Sequence, residues 1–199
     1  MHPDAGNPEA LARIQPVVLV GGTSTRFGTD KLRTPWAAVG ESARPLVQHP
    51  IDTLRAVFGP RVAIVGHCHH SIPPLADAVI PDQHPGIGPI GGIASALAAW
   101  GGPVFVLAGD MPNMLPTHIR QILQAAHADP APSAVLASTD RIHPCAGLYR
   151  ASAIGALHAA IERADHRLRS AIPPDAILRV PIDPAAASNI NTPADLTCP

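Results

Sequence analysis

Val17-Val18-Leu19-Val20 is a wholly apolar run, three of its four residues β-branched, and it stops at Gly21-Gly22. A strand with one wet face alternates polar and apolar residues. An unbroken run fits a strand covered on both faces, as in a parallel sheet. Similar runs recur at Arg61 to Val65, at Ala78-Val79-Ile80 and at Pro103 to Leu107, the last ending at Gly109-Asp110. Ala134 to Ala137, Gly147 to Tyr149 and Ile177 to Val180 read as further strands. Between them lie helical spacings at Pro45 to Phe58, Gly91 to Trp100, Pro116 to Ala126 and Ala151 to Arg163. Pro50 falls inside the first and either starts that helix or kinks it. Thr192 to Leu196 reads as a closing helical turn. Strands alternating with helices predict an α/β domain with a largely parallel sheet.

Composition narrows the class further. The 199 residues make one domain with a tail: 1–15 reads as a flexible N-terminal tail and 16–199 as the domain. Apolar residues are 46% of the chain and charged ones 15%, which excludes global disorder. A formal charge of −1 leaves no broad basic footprint for nucleic acid. No apolar stretch approaches the roughly 18 residues of a membrane helix, and the polar start is not expected to be a signal peptide. Cys68, Cys145 and Cys198 are odd in number and scattered, as expected for the reducing cytoplasm.

Ligands of parallel sheets bind beyond the carboxyl ends of the strands. The segments to read are therefore Gly21 to Lys31, His67 to Pro89 and Gly109 to Asn113. In the first, adjacent glycines let backbone N–H groups approach a polyphosphate. Arg26 and Lys31 can neutralise its charge, one as a fork and the other as a mobile point charge. Lys31 is the sole lysine beside 13 arginines, which makes it conspicuous. The loop is neither G-x-G-x-x-G nor G-x-x-x-x-G-K-[ST], so it signals neither a dinucleotide oxidoreductase nor a P-loop. Asp110 ends a buried strand, where one carboxylate plus phosphate oxygens is the usual way to hold Mg²⁺. A bare carboxylate there is costly unless a cation or N–H groups meet it. Asp82 either shapes the turn before Gly86 or offers its carboxylate to N–H donors of a ligand. Asn189 and Asn191 read equally as turn asparagines. His67-Cys68-His69-His70 supplies no full ligand set of its own, and eleven histidines make one such cluster unremarkable.

Leu19 to Lys31 resembles the signature L-x-G-G-x-S-x-R-M-G-x-D-K of the MobA-like nucleotidyltransferases, the molybdenum cofactor guanylyltransferases and their relatives. Asp82 with Gly88-Pro89-Ile90-Gly91-Gly92-Ile93 resembles the family's D…G-P-L-x-G-I element. Phe105 to Pro112 resembles its strand ending in D-x-P. His143-Pro144-Cys145-Ala146-Gly147-Leu148-Tyr149 resembles its H-P-L-x-A-L-Y. Asn189 to Leu196 resembles its N-x-N-T-P-E-D-L. The resemblance runs from about residue 16 to 196 with the elements in the family's order.

The resemblance implies a Rossmann-like, mostly parallel sheet flanked by helices, of the nucleotide-diphospho-sugar transferase type. It implies transfer of GMP from GTP to the phosphate of molybdopterin cofactor, with release of pyrophosphate. Arg26, Lys31 and Asp110 are the implied catalytic residues. Leu19, Val20, Gly21, Gly22, Lys31, Asp82 and Asp110 would bind the nucleotide, and Asp110 with Asn191 would hold Mg²⁺. Partners of such a protein would be other molybdenum cofactor biosynthesis or molybdoenzyme accessory proteins. Two departures stand out: the connection Thr34 to Arg44 is longer than usual, and His67-Cys68 replaces the expected polar pair after the strand. They leave open a related cytidylyl- or guanylyltransferase with another phosphorylated acceptor, or a non-catalytic accessory protein on the same fold. Catalysis of this kind is positioning and charge neutralisation. Lys31→Ala is therefore expected to fold normally and to lose roughly 10²- to 10³-fold in pyrophosphate release. Lys31→Arg should restore activity only partly.

Overall fold

The computed structural model describes residues 8–21, 30–37 and 42–197. In chain order these form α1 (Pro8–Ala12), β1 (Gln15–Leu19), β2 (Pro35–Trp36), β3 (Arg44–Pro45), α2 (Gln48–Phe58), β4 (Ala63–Val65) and β5 (Ala78–Ile80). Next come α3 (Pro89–Trp100), β6 (Val104–Ala108), α4 (Pro116–Ala128), β7 (Ala134–Ser138), β8 (Ile142–Tyr149), α5 (Ile154–Glu162), α6 (Leu168–Ala171) and β9 (Ile177–Pro181). Seven strands make one sheet in the order β5-β4-β1-β6-β8-β7-β9. β1 runs parallel to β4 and β6, β5 to β4 and β9 to β7, while β8 runs antiparallel between β6 and β7. The sheet is thus mostly parallel and flanked by helices, as expected. β2 and β3 pair as a separate antiparallel ribbon.

Alternate residues of the central strands feed two cores. Val18, Val20, Ile64, Phe105 and Leu107 pack with Ile51, Leu54, Ile119 and Ile122 of α2 and α4. Val17, Leu19, Val65, Val104 and Val106 pack with Ile90, Ile93 and Leu97 of α3 and with Leu157 of α5. Burial on both faces is the reason these strands carry no alternation. Pro50 is the third residue of α2, where the missing N–H removes no intrahelical bond, so the helix is not broken. The expected helix from Ala151 begins as a 3₁₀ turn, Ala151–Ala153, before α5. The closing turn is likewise 3₁₀, Pro193–Thr197.

Residues 8–15 differ from a flexible tail. They form α1 and the first residue of β1, and the Arg61 guanidinium ties them down. It donates to the carbonyls of Leu11, of Ala12 at 3.1 Å and of Ile14 at 2.7 Å. Its Nε holds Phe58 O at 3.1 Å, joining the end of α2 to the same cluster. Trp100 Nε1 adds a bond to Arg13 O at 2.9 Å. A charged donor shared among four carbonyls, three of them in partly buried bonds, leaves several acceptors unpaired when removed. Arg61→Ala is expected to lower unfolding free energy by about 2–3 kcal/mol and to expose residues 8–14 to proteolysis, measured by denaturant titration and limited digestion.

Candidate functional site

The strand order reverses at β1, with β4 on one side and β6 on the other, and the carboxyl ends of β1 and β6 open the crevice where such sheets bind ligands. Leu19 ends β1 and Val20 follows it, with buried side chains in opposite cores. Their backbones are engaged too: Val20 N donates to Val65 O and Gly109 N to Leu19 O, both at 3.0 Å. Their part in the site is to place Gly21. That glycine emerges next to Gly66, which has φ +115° and lies so close that an added Cβ would meet Gly21 N at 2.6 Å. The ends of β1 and β4 therefore touch through two glycines. Gly22 and Arg26, expected to hold phosphates, lie outside the described residues.

Lys31 opens a 3₁₀ turn, Lys31–Arg33, capped by Asp30, whose Oδ1 accepts from Leu32 N at 3.2 Å. Leu32 is buried in the α2 side of the core and anchors the turn. From there Lys31 Nζ reaches Asp110 Oδ2 at 2.5 Å, Ile190 O at 3.2 Å and Asn191 Oδ1 at 3.4 Å. Asn189 Nδ2 donates to the other carboxylate oxygen, Asp110 Oδ1, at 2.7 Å, and Ile190 N donates to Asp110 O at 2.9 Å. So the cation and the N–H group that a carboxylate at this strand end requires are both present. Asp195 fixes the approaching segment by accepting from Asn191 N and Thr192 N, each at 2.8 Å. Those two N–H donors hold its carboxyl below the usual range.

Asp82 stands in the turn after β5. Its Oδ1 accepts from His84 N at 2.9 Å and from Ser95 Oγ at 3.4 Å, while Ser95 Oγ accepts from Gln83 N at 2.9 Å. Among the described residues no hydrogen bond reaches Oδ2. The turn reading of Asp82 is thus realised. Gly91 in the first turn of α3 lets the 81–88 loop pack closely: a Cβ there would meet His84 O at 2.6 Å.

Other polar groups have structural duties. His143 is buried, with Nε2 2.9 Å from Thr139 Oγ1, and burial followed by the Arg141 charge lowers its pKa. Burial pushes the Cys145 thiol up to about 12, with the Asp110 charge adding to it, so no thiolate forms beside the carboxylate. Burial raises the Cys68 pKa as well, followed by the charge of Asp30. Among the described residues no group of three or more His, Cys, Asp or Glu could hold a metal ion, and this includes His67 to His70. Sequence reasoning took Asn189 for a turn residue and missed its contact: it touches Asp110 directly, while Asn191, expected at the metal, reaches Lys31 beside that carboxylate.

A family model for the MobA-like NTP transferase domain matches residues 16–178. The chain belongs to this family. It is therefore a nucleotidyltransferase. A protein of Chloroflexus aggregans named "Probable molybdenum cofactor guanylyltransferase" is 32% identical over 192 residues, covering 90% of this chain and 90% of that protein. A protein of the same name from Mycobacterium ulcerans is 31% identical, covering 98% of this chain and 97% of its own. The crystal structure of molybdopterin-guanine dinucleotide biosynthesis protein A from Archaeoglobus fulgidus superposes with a TM-score of 0.70 at 23% identity, covering 92% of this chain and 95% of that one, and shows the same fold.

MobA-like nucleotidyltransferases typically use a divalent metal. The donor set here fits a hard cation. Asp110 Oδ2, Ile190 O and Asn191 Oδ1 are all oxygens, and a positive group, Lys31 Nζ, already sits among them. Side-chain exposures of 19% for Lys31 and 15% for Asp110 leave the pair largely buried, so removing either partner strands the other. Lys31→Met and Asp110→Asn are each expected to cost about 2–3 kcal/mol in denaturant titration. A double-mutant cycle should return most of that as coupling, because the second substitution removes a partner already lost.

Proposed function

We propose that this protein transfers GMP from GTP to the phosphate of molybdopterin cofactor and releases pyrophosphate. The observation carrying this reading is the convergence of Lys31, Asp110 and the 189–191 segment beyond the ends of β1 and β6. The names of the relatives, which match nearly the full chain, support the guanylyl donor and the acceptor. The acceptor's phosphate oxygen attacks the α-phosphorus in line. One P–O bond forms to it as the bond to the β-phosphate oxygen breaks, and pyrophosphate departs. A phosphate monoester is already ionised near neutral pH, so no residue need act as base.

In this reading the Gly21-Gly22 backbone cradles the triphosphate, and Arg26 and Lys31 neutralise charge on the transferring and leaving groups. Asp110, with Asn191 beside it, would hold Mg²⁺, which when bound supplies positive charge against the α-phosphate. Asn189 orients Asp110. Asp82 accepts from the guanine edge, with Oδ2 unengaged among the described residues. The 81–84 turn is steadied by Ser95 for that task. Cytoplasmic location belongs to the same reading. No described helix is long and apolar enough to cross a membrane.

Pyrophosphate release is measured with molybdopterin, Mg²⁺ and each of GTP, CTP, ATP and UTP. GTP alone should support turnover. Preference for CTP overturns the donor, and no release with any nucleotide overturns the activity. For base recognition, Asp82→Asn should weaken GTP by about 1–3 kcal/mol and weaken ITP, which lacks the 2-amino group, far less. Calorimetric titration of both nucleotides checks this, and equal losses would confine Asp82 to the turn.

A further inference from the structure

The Lys31 ammonium, the group proposed to neutralise phosphates, is already engaged by protein oxygens. It lies 2.5 Å from Asp110 Oδ2, with Ile190 O at 3.2 Å and Asn191 Oδ1 at 3.4 Å on its other sides. These are the oxygens that would take a divalent cation. Mg²⁺ sits about 2.0–2.1 Å from its oxygens, and a lysine ammonium on the same oxygen would repel it strongly. The two cations are therefore alternatives at Asp110.

We propose that Lys31 is the resting occupant of the cation position at Asp110, and that nucleotide binding opens this position by drawing the ammonium onto its phosphates. The inference rests on the phosphate role proposed for Lys31. Metal binding then comes after nucleotide binding. In the resting enzyme Lys31 is tied to Asp110 by a salt bridge and to the 189–191 segment by hydrogen bonds to Ile190 O and Asn191 Oδ1.

The exchange needs only a side-chain movement. The backbone at Lys31 is fixed by Leu32 in the core, by Val47 N donating to Leu32 O at 3.1 Å and by Leu46 N donating to Thr34 O at 2.9 Å. Asp110 is fixed by its own backbone bond with Ile190 and by Asn189. Between two stationary anchors, four side-chain torsions let Nζ pivot from carboxylate to phosphate. Asn189 stays on Oδ1, so the carboxylate keeps its orientation when the lysine leaves. A lysine suits the task because a compact ammonium with three rotatable donors meets oxygens converging from three directions.

Because Lys31 is the sole lysine of the chain, ¹⁵Nζ/¹³Cε-lysine labelling yields a single side-chain resonance, which reports its partner directly. In nucleotide-free protein this resonance should shift on Asp110→Asn. In wild type it should move when GTP is added in EDTA. Mn²⁺ serves as the metal probe, followed by electron paramagnetic resonance without nucleotide. Lys31→Gln should bind Mn²⁺ roughly tenfold or more tightly than wild type, by removal of the competing charge, and Lys31→Gln/Asp110→Asn should lose that gain. Equal Mn²⁺ affinity in wild type and Lys31→Gln overturns the proposal, as does a lysine resonance indifferent to Asp110→Asn. GTP binding is read separately from the thermal shift. If GTP stabilises the protein and the lysine resonance stays put, the exchange is wrong while the nucleotide reading stands. If GTP gives no thermal shift, the nucleotide reading fails, and the Mn²⁺ comparison still decides whether Lys31 occupies the cation position.

Discussion

Leu19 pairs with Ala108 in the parallel register of β1 and β6, and the whole site depends on that pairing. Two residues past each partner stand Gly21 and Asp110. A one-residue slip would turn every side chain of β1 to the opposite core, and both cores are filled, so the register is rigidly specified. Gly109 N on Leu19 O continues the ladder one bond beyond β6. Gly21 and the acidic strand end are thus neighbours by backbone geometry. Lys31 then needs only the short 3₁₀ turn behind it to reach the carboxylate.

The central strands were legible because burial on both faces writes an unbroken apolar run; the run Ala78–Ile80, read the same way, is instead the exposed edge strand β5, where Val79 is 56% exposed. Ala63–Val65 and Val104–Ala108 fall within a residue or two of the runs read from sequence. The β2–β3 ribbon was not legible. Two residues per strand carry no period, and Trp36 owes its burial to tertiary contact: its ring meets that of His49 edge-on at 4.6 Å, and its carbonyl lies 3.1 Å from His49 Nε2. The helix at residues 8–12 was hidden for a related reason. Five residues cannot hold a helix by propensity, and what fixes these is an arginine about fifty positions away.

Sequence singled out residues that the topology itself places just past strand ends: Gly21 after β1, Asp110 after β6 and Asp82 after β5. It was less informative where a side chain acts through a long-range contact. Asn189 and Asn191 are indistinguishable as letters, and only the docking of the 189–191 segment onto Asp110 separates them. Leu19 and Val20 belong to the motif that resembles a nucleotide loop, yet they serve it from inside the core. Ser95 gave no signal, because a lone serine in a small-residue helix looks like any other. Its hydroxyl holds both Gln83 N and, at 2.8 Å, Gly91 O, and so joins α3 to the turn that carries Asp82.

The charge placement explains why this strand end tolerates an acid. Asp110 comes after five buried residues of β6 and precedes the buried Met111. An unpaired carboxylate there would lose hydration without recompense. Lys31 and Asn189 replace the lost water on separate oxygens, one by charge and one by an amide donor. That division matters for reactivity. The amide is neutral and anchored in the 189–191 segment, so it keeps the carboxylate aimed. The ammonium is charged and carried on a flexible stem, so it is the partner free to be exchanged for another cation. A guanidinium in its place would engage both oxygens in a planar fork and compete with Asn189. In a chain that otherwise uses arginine for every basic side chain of this kind, the lysine stands where a fork would block the site.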